Sequence, residues 1–231
     1  MSKIGLLCIA TNKYLDYAIR MLKSADDHFC TDQDVHYFLF TNGVQQPETT
    51  RKVSVIPVQH KSWPAMTLER YSIFANYASL FVNCSHLYYC DADMKFVSSV
   101  GSEILEERVA TIHPGYFRQI GSYGLPYEKN KESLAYVPTE SYGTYYAGGF
   151  NGGTTAEYLR MATILSDRIN RDYSKGIIAK WHDESHMNWY FTMHSKPTLQ
   201  LSPEYCYPEY WSIPFKKRLI ALAKNHSEMQ R

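Results

Sequence analysis

Asp91 and Asp93 are separated by one residue and follow a run of five mostly apolar residues, His86-Leu87-Tyr88-Tyr89-Cys90. A short, aromatic-rich apolar run reads as a buried strand. Two acids at the end of such a strand repel each other and lose hydration beside an apolar core. A hard divalent cation removes both penalties, and oxygen donors suit manganese or magnesium. Such an ion keeps open positions for phosphate oxygens, so a diphosphate fits the same site. A bare Asp-x-Asp is common by chance, and a solvated turn is the alternative. The apolar run before the pair and Met94-Lys95-Phe96 after it favour the metal site.

Residues 181–186 read Trp-His-Asp-Glu-Ser-His. Acids favour the positive end of a helix dipole, which accounts for Asp183 and Glu184 but not for the Trp and two His beside them. His182 and His186 are four apart, a zinc-like spacing on a helix face. The zinc-protease pattern needs Glu directly after the first His, Asp stands there instead, and no third ligand is evident. The acids suit transfer at a sugar carbon. One carboxylate can attack or stabilise an oxocarbenium-like centre while its neighbour holds sugar hydroxyls.

The stretch Ala147-Gly148-Gly149-Phe150-Asn151-Gly152-Gly153 allows backbone to approach a ligand closely, or forms a packed bulge. It is not a phosphate-binding P-loop, because the terminal Gly-Lys-Ser/Thr is missing. His113, at a strand end, is by itself more often a satisfied core or loop histidine than a ligand. Lys224, followed by Asn225-His226, could cover a diphosphate or simply be solvated.

These residues need a sheet to gather them. Residues 4–10 (IGLLCIA) have the pattern of a central parallel strand buried on both faces. Thr11-Asn12 can cap a helix over 14–29. Strands follow at 36–41, ended by Asn42-Gly43, and at 53–58. Leu68, Tyr71, Phe74, Ala78 and Phe81 are spaced for one helix over 66–82, leading to the Asp-x-Asp strand. The order β-α-β-β-α-β predicts an α/β fold with an open, mostly parallel sheet flanked by helices. Ligands of such sheets sit beyond the carboxyl ends of the strands, where 10–12 and the Asp pair both fall. Further on, a strand is expected at 108–113, loop over 117–144, and a strand at 145–150. A helix capped by Thr154 or Thr155 is expected over 154–173, another helix within 181–193, and a strand at 198–201.

With 45% hydrophobic and 20% charged residues, the 231-residue chain has enough apolar mass for one large domain. It divides into a nucleotide-binding half (1–97), a sugar-binding half (98–215) and a basic tail (216–231) expected to be mobile. A net charge of +1 without a basic block argues against a nucleic-acid partner. The 20 Tyr and 4 Trp offer flat faces with polar tips, suited to sugars and bases. Five Cys without a Cys-x-x-Cys suggest reduced, buried thiols. No long apolar segment or cleavage-site pattern is seen, so a soluble, cytoplasmic chain without a membrane segment is expected.

The motifs YYCDADMKF, IHPGYF, YYAGGFNGGT, WHDESHMNWYF, LSPEY and AKNH, in this order over about residues 4–226, resemble glycosyltransferase family 6, the family of the histo-blood-group A and B transferases and α-1,3-galactosyltransferase. The resemblance implies a GT-A fold and retaining transfer of N-acetylgalactosamine or galactose from a UDP-sugar. The product would be α-1,3-linked to a galactose-terminated glycan, fucosylated or not. It implies that Asp91 and Asp93 hold Mn²⁺, or Mg²⁺, and the diphosphate, with Asp91 and Ala92 near the donor. Ile9, Thr11 and Tyr14 would line uridine. Arg70 would support the donor sugar and an acid. His182 and Asp183 would hold donor hydroxyls, His113 and Trp181 the acceptor, and Lys224 the diphosphate from a closing tail. Glu184 would be the nucleophile or the stabilising carboxylate. Ala147, Gly148 and Gly149 would bind the donor, with Ala147 and Gly149 setting donor choice. Their small size leaves room for an N-acetyl group, favouring UDP-N-acetylgalactosamine, although galactose also fits. The shortness resembles bacterial or phage members, some of which carry Asn-x-Asn and need no metal. Both aspartates are present here, so metal dependence is expected. A terminal Arg of the closing segment aligns poorly, with Arg231 the candidate. Two other classes use parts of this pattern. A sugar-nucleotide-forming nucleotidyltransferase would need a Gly-rich basic loop after the first strand, and 8–14 contains no Gly. A carbohydrate-binding module would leave the Asp pair and Glu184 without a role.

Overall fold

The structure, a computed structural model, describes residues 3–224. Strand β1 (Lys3–Ile9) is the predicted central strand. Its alternation serves two cores: Ile4, Leu6 and Cys8 meet one face and Leu7 the other. Helix α1 (Tyr14–His28) covers the first face with Leu15, Ala18, Met21, Leu22 and Ala25. Strands β2 (Asp34–Thr41) and β3 (Lys52–Pro57) extend the sheet in parallel.

The helix expected over 66–82 is broken into α2 (Ala65–Leu68), α3 (Arg70–Asn76) and a 3₁₀ turn, Ala78–Phe81. Leu68, Tyr71 and Phe74 keep the apolar face that the spacing predicts. Arg70 is buried too, because its charge has a partner inside; apolar periodicity carries no sign of that.

Strand β4 (His86–Cys90) lies parallel to β1, and short β5 (Met94–Phe96) follows. Strand β6 (Arg108–Ile112) and the loop-rich stretch to 145 precede β7 (Tyr146–Thr154), which is four residues longer at its end than the sequence suggests. The glycines are in the strand because its neighbours crowd it. A Cβ on Gly152 would stand 2.3 Å from the Tyr88 ring and 2.5 Å from the Leu87 carbonyl oxygen. Gly152→Ala is therefore expected to cost about 1–3 kcal/mol, read as a lowered thermal midpoint.

Helix α4 (Thr155–Ser174) packs the second face with Tyr158, Met161, Leu165 and Ile169. Helix α5 (His182–Trp189) runs on into one π-helical turn, Tyr190–His194. Strands β8 (Leu199–Leu201), β9 (Tyr207–Pro208) and β10 (Leu219–Ala221) complete the chain. The main sheet has the order β3-β2-β1-β4-β7-β6-β8, with β7 antiparallel to both neighbours. This is the open, mostly parallel α/β sheet read from the sequence.

A second sheet, β5-β10-β9, holds the front of the basic tail. Residues 219–221 pair with β5, and Leu222 N donates to the Asp93 carbonyl at 2.9 Å. The apolar Leu-Ile-Ala at 219–221 gives the tail something to bury, which its net basic charge hides.

The helix caps differ from expectation. Neither Thr11 nor Asn12 caps α1. Asn12 takes a left-handed φ of 52°, its backbone N–H donates to Asn42 Oδ1 and its Oδ1 accepts from Asn42 Nδ2, while Thr11 Oγ1 bonds His60 Nδ1 at 2.8 Å. No side chain caps α4 either, since Thr155 Oγ1 donates to the Cys84 carbonyl. All five cysteines are free and buried. Among the described residues, no helix is long and apolar enough to cross a membrane.

Candidate active site

The carboxyl end of β4 delivers the acid pair. Asp91 N donates to the Gly149 carbonyl, tying the pair to β7 at 2.9 Å. Asp91 Oδ1 accepts from Tyr89 Oη at 2.5 Å. Asp93 Oδ2 pairs with Lys224 Nζ at 2.5 Å. Burial raises the Asp93 carboxyl, the Asp91 charge raises it further, and Lys224 opposes both. Burial would lower the Lys224 ammonium, but the Asp93 carboxylate outweighs it and holds it up.

These residues fit a cation. Asp93 already attracts one, supplied by Lys224. Gly149 clears space at the other acid, since a Cβ there would lie 3.2 Å from Asp91 Oδ2. No group of three or more His, Cys, Asp or Glu gathers among the described residues. An ion held by the two aspartates would thus take its remaining ligands from substrate or water.

A cavity of about 850 Å³ opens at this rim. It is lined by Ile9, Thr11, Asn12 and Tyr14 from the end of β1, by Asp91, Ala92 and Asp93, and by Arg70 and Lys224. The nucleotide-side residues singled out from the sequence therefore share one space. His60, Lys61, Ser62, Trp63, Met66 and Thr67 line it as well, and the sequence reading missed them. Their signal was present: this polar, Trp-containing run follows the carboxyl end of β3, the rim where ligands of parallel sheets bind.

Asp183 and Glu184 lie behind Arg70. Helix α5 opens at His182, whose left-handed φ of 52° turns the chain into the helix. Asp183 forms a buried ion pair with Arg70. Arg70 Nη1 also donates to the Gly148 carbonyl at 2.9 Å, and Gly148 N donates to Glu184 Oε2 at 2.8 Å. Tyr145 Oη donates to Glu184 Oε1 at 3.0 Å. A register shift makes these contacts available. Ala110 faces Asn151 while Thr111 faces Ala147, so 148–150 bulge away from β6. The bulge frees both polar groups of the Gly148 backbone. Of the two alternatives in the sequence, the packed bulge is the one that forms.

Burial pushes the Glu184 carboxyl up to about 7, against the pull of Gly148 N–H and the Tyr145 hydroxyl. Burial raises Asp183 to about 6, with Arg70 opposing. Asn188 fastens α5 to β7, accepting from Tyr146 N and donating to the Tyr146 and Glu184 carbonyls.

The remaining candidates are spread around this core. His113 Nδ1 accepts from Gly115 N, and its ring lies 5.8 Å from Tyr145, the residue that holds Glu184. Burial lowers His113 to about 4, so it is neutral. Trp181 is 44% exposed. The His182 ring meets Trp63 at 4.8 Å, whereas His186 is buried against Asp172, so these two histidines do not converge. Ala147 is buried in the first core, and the missing side chain of Gly149 faces Asp91, Cys206 and Met94. Neither Ala147 nor Gly149, nor His113, Trp181, His182, Asp183 or Glu184, lines the 850 Å³ cavity directly. Asn225, His226 and Arg231 lie outside the described residues.

The family model "Glycosyltransferase family 6" matches residues 1–231. The chain is 34% identical to histo-blood group ABO system transferase 1 of Rattus norvegicus, over 98% of this chain and 68% of that protein. It is 32% identical to globoside alpha-1,3-N-acetylgalactosaminyltransferase 1 of Gallus gallus, over 98% of this chain and 69% of that protein. It is also 32% identical to the O-antigen biosynthesis glycosyltransferase WbnI of Escherichia coli, over 89% of this chain and 88% of that protein.

Proposed function

The chain belongs to glycosyltransferase family 6, a family of sugar-transferring enzymes with a GT-A type fold, and on that premise we propose that it moves N-acetylgalactosamine, or less readily galactose, from a UDP-sugar to a galactoside, with retention and an α-1,3 linkage. One observation carries the reading. Asp91, Asp93 and Lys224 rim the same cavity as Arg70, and Arg70 joins that rim to Asp183 and, through Gly148, to Glu184.

Uridine would lie against Ile9, Thr11 and Tyr14. The diphosphate would lie between the aspartates and Lys224, whose ammonium would pass from Asp93 to phosphate oxygens. A divalent cation such as Mn²⁺, which Asp91 and Asp93 would hold, would supply charge neutralisation for departing UDP. Glu184 would face the carbon that UDP leaves. Its two oxygens are aimed by Gly148 N–H and Tyr145, and both donors favour the ionised form. Such a carboxylate attacks or stabilises an oxocarbenium-like centre. Asp183, neutralised by Arg70, would hold sugar hydroxyls beside it, with His182. His113 and Trp181 would meet the acceptor.

The small residues at 147–149 support N-acetylgalactosamine, as does the activity named for the chicken relative. The test is a panel of UDP-sugars offered with lactose and fucosylated galactosides, with and without manganese, followed by linkage analysis. The expected result is an α-1,3 product, formed best from UDP-N-acetylgalactosamine with manganese present. No transfer from any UDP-sugar, or a β-linked product, would overturn the reading.

A further inference from the structure

Tyr89 touches both halves of the site. Its hydroxyl donates to Asp91 Oδ1 at 2.5 Å, and its ring face carries the Arg70 guanidinium, 4.0 Å from the ring centroid. The side chain is buried. Arg70 is committed elsewhere, to Asp183 and the Gly148 carbonyl.

We propose that Tyr89 is a positioning residue for the cation site, fixing Asp91 so that Oδ2 alone is offered to the metal. An acid at a strand end has two free torsions and two equivalent oxygens, and freezing them on metal binding costs entropy. The Tyr89 hydroxyl removes one oxygen from the choice beforehand. The other lies where Gly149 has left room. A hydrogen bond donated to the Asp91 carboxylate also favours its ionised form, the form that binds a cation. Meanwhile the ring holds Arg70 by its face, so the buried cation stays with Asp183 rather than competing for Asp91. Partners of this kind, one shell out from a metal, set ligand orientation.

The inference rests on the metal reading above, and the experiment separates the two. Mn²⁺ is titrated into protein holding saturating UDP and followed by electron paramagnetic resonance, in wild type and in Tyr89→Phe. Phe keeps the ring under Arg70 and removes only the hydroxyl. Half-saturation is expected to need roughly tenfold more Mn²⁺ in the variant. Metal-free UDP binding, read by calorimetry, is expected to be unchanged, which also reports an intact fold. Wild type that takes up no Mn²⁺ with UDP would defeat the metal reading itself. Wild type that binds Mn²⁺, with the variant binding equally well or losing metal-free UDP binding, would overturn the role of Tyr89 and leave that reading standing.

Discussion

Glu184→Gln is expected to lower sugar transfer by at least about 10²–10³-fold, the usual cost of removing one group that stabilises developing charge. Gln is isosteric and keeps its place. Its amide oxygen can accept from Gly148 N–H, and its NH₂ can donate to Tyr145 Oη once that hydroxyl turns. The substitution therefore removes a charge rather than a scaffold, and UDP binding should persist. The same carboxyl predicts a pH profile. Burial puts its folded value near 7, above the ordinary 4.5, so wild-type transfer should rise with pH through about 7 as the acid ionises. Stability runs the opposite way. A carboxyl with a raised folded value stabilises the fold fully below its unfolded value and loses that contribution as pH climbs toward 7. Gln should flatten this component of the melting profile while lowering transfer. Undiminished turnover in Glu184→Gln would remove the residue from the mechanism.

Asp93→Asn is the second large effect, a loss on the order of 10³-fold, because a cation's several kcal/mol of leaving-group stabilisation would go with it. Asn keeps the shape and relieves repulsion with Asp91, so the fold should survive. What it loses is the negative charge that attracts Lys224 now and that would hold a divalent ion in the loaded enzyme. Excess EDTA on wild type should reproduce the loss, and added manganese should reverse it for wild type but not for Asp93→Asn. Full transfer in EDTA would end the metal assignment while leaving Glu184 untouched. The two experiments therefore test opposite ends of the site separately.

The rim around Asp91 and Asp93 was legible because its signals are local. Apolar runs name the strands, and Asp91, Asp93, Ile9 and Thr11 fall at strand ends, so a parallel sheet brings them to one rim. The residues 60–67 were missed although the same rule covers the loop after β3. The surroundings of Asp183 and Glu184 were legible only as a cluster of residue types. That Asp183 is neutralised, and by Arg70, depends on a pair 113 positions apart in the chain, and no periodicity encodes such a partner.

By itself, then, the sequence determined the seven strands of the main sheet, the α/β class, the family, and which acids are candidates, because these follow from side-chain type and spacing over a few residues. Tertiary structure alone decided the break that buries Arg70, the bulge at 148–150 that turns Gly148 toward Glu184, and the hold of Lys224 on Asp93. Each is set by where distant segments meet. A buried charge or a freed backbone group is stable only when its partner arrives from elsewhere in the chain.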